Sequence, residues 1–178
     1  MALSATLHKA RLNISDMNRH YYDTHSLTVA RHPSETELRM MVRLLAFMCH
    51  ADPDLSFTKG LSTDDEPDIW NVGPDGRIME WIELGEPSLK RIKQALSRSE
   101  KVVIYCYGGR SAEEWWNKNR AEISRLNKVH VYNLPESQAE QLAAMTARSM
   151  DLFATISELE IQLTDGENSL DLMLDKWQ

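Results

Sequence analysis

Four groups of charged side chains carry the chemistry this sequence offers. Glu35 lies in Pro33-Ser34-Glu35-Thr36, which opens a helix. Asp64-Asp65-Glu66-Pro67-Asp68 stands at the mouth of an apolar run. Glu83 sits near the end of the next run, ahead of Leu84 and Gly85. Lys90, Arg91 and Lys93 follow in the early turns of a second helix. Carboxylates fixed at strand ends suit magnesium, a hard ion that takes oxygen ligands and water. Held beside a phosphate, such an ion polarises the phosphoryl oxygen and lowers the pKa of a bound water. A nearby lysine then offsets the charge that develops. The chemistry expected of the set is metal-assisted phosphodiester hydrolysis. The same residues also suit plainer roles: an acidic loop, a solvated helix face, and helix N-terminal charge from Glu35 and Glu37.

A second motif competes. Residues 102–112 read VVIYCYGGRSA, an apolar strand ending in Cys106, a Gly-Gly turn, Arg110 and a helix start. It looks like the active-site loop of rhodanese-type sulfurtransferases, where backbone N–H groups bind an anion and lower the thiol pKa. Arg110 falls four positions after the cysteine, where those loops place it five on. Strand alternation puts Val102, Ile104 and Cys106 on one face, so Cys106 also reads as a small buried hydrophobe. Arg110 is then a candidate substrate or phosphate contact near the carboxylates. The six histidines show no metal-ligand spacing, and no glycine-rich nucleotide loop is present.

These residues need a scaffold. The 178 residues, 42% hydrophobic and 26% charged, suit one domain with one core. Two cysteines exclude a disulfide-stapled scaffold, and a reducing cytoplasm is the expected setting. The opening MALSATLHKARLN lacks the apolar stretch of a signal peptide, and no window reaches membrane-spanning length. A net charge of −7 argues against coating nucleic acid by bulk charge. That charge is segregated. Residues 49–87 carry two basic and ten acidic side chains, and residues 88–111 carry six and one. Any nucleic acid would therefore be met locally, by the basic helix.

Residues 4–14 and 25–32 read as paired strands, and Ser34 with Glu37 as a capping box for a helix to about His50. After an expected loop over 51–68, strands at 69–73 and 77–84 flank a Pro74-Asp75-Gly76 turn. Ser88 opens a helix to about Arg98. The nearly all-apolar 101–107 reads as a central strand. A helix over 111–126, a strand over 129–134 and a helix over 136–147 follow. The tail reads as two strands, 151–162 and 169–174. The expected architecture is α/β (α+β): a single mixed sheet flanked by helices, in one domain spanning 1–178.

Ala30-Arg31-His32-Pro33-Ser34-Glu35-Thr36, Asp64-Asp65-Glu66-Pro67, Trp81-Ile82-Glu83-Leu84-Gly85 and the ending Trp177-Gln178 together resemble the YaeQ family of bacterial proteins, over essentially the whole chain. The resemblance implies a variant of the PD-(D/E)XK restriction-endonuclease-like core. It implies Asp65, with Glu66 beside it, as the metal-binding acid ahead of the hairpin, and Glu83 as the acid of the E-x-K element. Gly85 stands where that element has lysine. Lys93, with Lys90 one turn earlier, is the candidate for a lysine moved onto the following helix. Glu35 matches the acid such folds place on their first helix. A Mg2+ or Mn2+ ion held by Glu35, Asp65 and Glu83 would make the chain a nuclease, with Lys93 assisting. The alternative is a non-catalytic binding or regulatory module on the same fold, which Gly85 and the acidic net charge favour.

Overall fold

A computed structural model describes residues 3–59 and 64–178. Met1-Ala2 and residues 60–63 of the expected loop lie outside the described residues. The chain forms two compact units. One comprises residues 1–51 and 137–174, the other residues 52–136 and 175–178.

The first unit opens with the hairpin β1 (Thr6–Asp16) and β2 (Tyr21–Arg31). Helix α1 (Glu37–Cys49) follows, and α4 (Glu136–Ala143) leads into β8 (Ser149–Ser157), β9 (Glu160–Thr164) and β10 (Ser169–Met173). The five strands form a sheet in the order β10-β9-β8-β1-β2, with β8 parallel to β1. In β1 the inward residues Ala10, Leu12 and Ile14 are buried while Lys9 and Arg11 are exposed, the alternation of a sheet with one wet face. Residues Met40–Met48 of α1 are all buried.

The second unit holds β3 (Leu55–Phe57), β4 (Ile69–Val72), β5 (Ile78–Leu84), α2 (Leu89–Arg98), β6 (Val102–Cys106), α3 (Arg110–Ile123), β7 (Val129–Asn133) and β11 (Asp175–Lys176). Its sheet runs β11-β7-β6-β5-β4-β3, with β5, β6 and β7 parallel. All five residues of β6 are buried, as the expected central strand requires. Val102, Ile104 and Cys106 pack with Ile92 and Ala95 of α2 and Ala112 and Ile123 of α3. Trp115 and Trp116 share that cluster half-buried. The Trp115 indole donates to the Pro87 carbonyl at 2.9 Å, and Trp116 stacks on Trp177 with ring centroids 5.7 Å apart.

Several expectations change. The single mixed sheet is two sheets, because β1 takes β8 as its second neighbour, some 140 residues away in sequence, and strongly twisted open sheets rarely grow beyond ~10 strands. The cap of α1 is Thr36, whose hydroxyl accepts from the Arg39 N–H at 3.1 Å. Ser34 is instead held by His32 Nδ1 at 2.6 Å, in the turn before the helix. The expected strand 151–162 is two strands, broken at Glu158 with φ 54°. Part of the expected loop forms the short strand β3. No helix among the described residues is long and apolar enough to cross a membrane.

Candidate functional site

Glu83 lies on β5 two residues after Trp81, and both are buried. Its Oε1 accepts from the Trp81 indole N–H at 2.7 Å and from Arg91 Nε at 2.9 Å. Arg91 Nη2 approaches the same oxygen at 2.8 Å. Arg91 is the third residue of α2, whose first turn is capped by Ser88. The guanidinium also donates to the carbonyls of Asp64, at 3.0 Å, and Glu66, at 2.9 Å. Arg98, two turns along the same flank, lies 5.2 Å above the Trp81 ring and donates to the Asp65 carbonyl. Two arginines of α2 thus strap the acidic loop to the sheet, one through the Glu83 carboxylate.

Asp68 joins this centre. It is buried just before β4, and its Oδ2 accepts from the Leu84 N–H at 2.9 Å. Its negative charge and, above all, burial push the Glu83 carboxyl above the ordinary carboxylate range. Hydrogen bonds from Arg91 and Trp81 pull the other way without winning. Asp65 is the acid that the family resemblance implies; the Pro67-Asp68 pair at the strand's mouth is the signal that points to Asp68.

The other expected residues are placed as follows. Asp65 is exposed and Glu66 half-buried. The Lys93 ammonium pairs with Glu122 at 3.1 Å on an exposed surface, and Lys90 is exposed. Residues two apart on a helix stand about 200° round from each other, so Arg91 and Lys93 flank the Ile92–Ala95 stripe on opposite sides. Gly85 has φ 95°, a left-handed conformation in which lysine is strained. Glu35 belongs to the other unit. There it is buried and takes a fork from Arg43, Nε to Oε1 at 3.1 Å and Nη2 to Oε2 at 2.8 Å, with Arg39 at 3.3 Å. Among the described residues, no three His, Cys, Asp or Glu side chains group as a metal site.

Cys106 is fully buried and donates through Sγ to the Gly85 carbonyl at 3.3 Å. Burial, with the charge of Glu86, pushes its thiol up to about 12. That is a protonated structural thiol at neutral pH rather than the thiolate of a sulfurtransferase. Arg110 points to solvent and pairs with Glu114 at 3.0 Å.

A family model described as "YaeQ protein" matches residues 1–174. The chain belongs to the YaeQ family. The YaeQ proteins of Escherichia coli (strain K12) and Salmonella typhi are each 42% identical to it over 178 residues, covering all of this chain and 98% of theirs. The crystal structure of YaeQ from Xanthomonas axonopodis pv. citri superposes with a TM-score of 0.95 at 42% identity, covering 98% of this chain and 99% of that one. YaeQ from Pseudomonas syringae gives 0.92 at 34% identity, covering 98% and 96%.

Proposed function

We propose that this YaeQ chain is a non-catalytic binding module that keeps a nuclease-like carboxylate arrangement as a structural ion pair. Pro67-Asp68 ahead of β4 and Glu83 on β5, followed by a helix and a parallel strand, support descent from the endonuclease-like core. The carrying observation is that Glu83 Oε1 accepts from the Trp81 indole and from Arg91 Nε, with Arg91 Nη2 in ion-pair contact at 2.8 Å. At Oε1 both lone pairs are taken by Trp81 and Arg91, so a divalent ion at that oxygen would have to displace a cation. Glu35 is likewise committed to Arg43 and Arg39. In this reading the carboxylates hold the acidic loop in place, and binding is done elsewhere on the chain.

The test is a cleavage assay on single- and double-stranded DNA and RNA with Mg2+ or Mn2+, run beside Glu83→Ala and Asp65→Ala. The expected result is no cleavage by the wild type above either variant, with Glu83→Ala lowering the melting temperature. Metal-dependent cleavage abolished by both substitutions would overturn the reading in favour of the nuclease.

A further inference from the structure

Several cations of the six-stranded unit are held by carboxylates. Arg91, Lys93, Lys101, Arg110 and Lys128 each face a carboxylate. Lys9 and Arg11 on β1 of the five-stranded unit differ. Both side chains are exposed on the outer face of the sheet, and neither forms an ion pair with any described residue. Two residues apart on one strand, they project from the same side about 7 Å from each other. The register sets Thr28 and Ser26 of β2 beside them, and Ser149 of β8 beside Lys9. Together these residues line a shallow hollow of about 270 Å³. The three hydroxyls make no hydrogen bond with described residues, so cations and donors converge on the hollow unspent.

Further along β1 the same face changes character. Asn13 has Phe153 beside it on β8, and Ser15 has Tyr22 beside it on β2. The Phe153 ring is 47% exposed and that of Tyr22 61%, although each strand has buried positions available for apolar side chains. One carboxylate, Asp151, stands next to Arg11, and its Oδ1 is engaged by the Asn13 amide at 2.8 Å. Glu160 and Asp171 lie on the outer strands β9 and β10, away from β1. Unpaired cations at one nucleotide's spacing, followed by exposed rings on a sheet face, match how sheets bind single strands: phosphates on basic side chains, bases stacked on aromatics.

We propose that the outer face of the five-stranded sheet binds a short single-stranded nucleic acid. Lys9 and Arg11 contact successive phosphates, Ser26, Thr28 and Ser149 donate to their oxygens, and Phe153 and Tyr22 stack bases. This partner rests on the binding-module reading, and binding measured in EDTA separates the two. The probe is a fluorescein-labelled eight-nucleotide oligo(dT) or oligo(U), followed by anisotropy in EDTA at roughly 50 to 200 mM salt. Two phosphate contacts predict a log–log salt slope of about −1.4. Lys9→Ala and Arg11→Ala each reduce that slope by about 0.7, and Phe153→Ala weakens binding about tenfold at an unchanged slope. These positions are exposed, and unchanged melting curves verify the fold of each variant. Lys93→Ala, on the other unit, leaves binding unchanged.

Binding weaker than about 0.1 mM at the lowest salt overturns the proposal. So does binding that resists all three substitutions, or that falls with Lys93→Ala. Displacement of the oligonucleotide by inorganic phosphate at equal phosphate concentration reduces the site to a simple anion cradle and also overturns it. If binding holds in EDTA but added Mn2+ brings cleavage, the sheet assignment stands and the non-catalytic reading falls.

Discussion

Arg91→Met tests the centre of the six-stranded unit most directly. The substitution keeps the stem that packs on the helix flank and removes the guanidinium. Glu83 then loses the Arg91 hydrogen bond and ion pair, keeps only the Trp81 indole as a donor, and stays buried beside Asp68. Breaking a fully buried pair costs ~3–5 kcal/mol, and Arg91, at 26% side-chain exposure, scales that to about 2 kcal/mol. Losing the bonds to the Asp64 and Glu66 carbonyls adds about 1 kcal/mol. The pH dependence has a defined sign. The folded-state Glu83 carboxyl is raised above its ordinary value of 4.5, so the folded chain holds that proton more tightly than the unfolded one. Glu83's contribution is therefore fully present below pH 4.5 and is lost as pH rises through the folded value. Removing Arg91 raises that value further and carries the loss toward neutrality. Urea unfolding followed by circular dichroism, at about pH 5 and pH 7.5, should show a larger penalty for Arg91→Met at the higher pH. Adding Glu83→Gln to Arg91→Met removes the buried charge and should flatten that dependence, with a coupling near 2 kcal/mol in the double-mutant cycle. A penalty equal at both pH values, or a coupling under about 0.5 kcal/mol, would refute the structural ion pair.

Other consequences are equally specific. Gly109 opens α3 with φ 60°, and a Cβ there would lie 2.6 Å from Glu136 Oε2. Gly109→Ala should cost about 1–2 kcal/mol, read as a melting temperature lower by several degrees. With its thiol at about 12, Cys106 should remain unmodified by iodoacetamide in the native protein at neutral pH and react after unfolding, as mass spectrometry would show; rapid native alkylation would contradict its burial. The Gln178 side-chain amide donates to the carbonyls of Ile123, Leu126 and Val129, closing the turn after α3. Gln178→Ala should destabilise by about 1–2 kcal/mol in urea titrations, with little effect on the m-value.

How far these features were legible in the residues depends on which force decides each one. Local signals carry well: the nearly all-apolar 101–107 run holds the buried strand β6, and Ser88 caps α2. Long-range pairing does not, since nothing local in Thr6–Asp16 announces that Ser149–Ser157 will lie parallel beside it. The cap of α1 moved from Ser34 to Thr36 because His32 competes for the serine, a tertiary detail of one turn. At the site, residue type and helix phase point to different cations. Lysine is the expected partner by type, which favours Lys93. Phase places Arg91 and Arg98, seven apart, on one flank and Lys93 on the other, so only the arginines reach the Trp81–Glu83 edge. The acidic string had the same ambiguity. Asp64, Asp65 and Glu66 stand out by charge, yet Asp68, next to the strand, is the one whose backbone is fixed by the ladder, its N–H donating to the Ile82 carbonyl at 3.1 Å. A carboxylate anchored to the sheet can face Glu83 permanently, and one in an exposed loop is held only as firmly as the arginines strapping its carbonyls. That difference makes the Asp68–Glu83–Arg91 trio the place where a substitution should separate a structural ion pair from a working metal site.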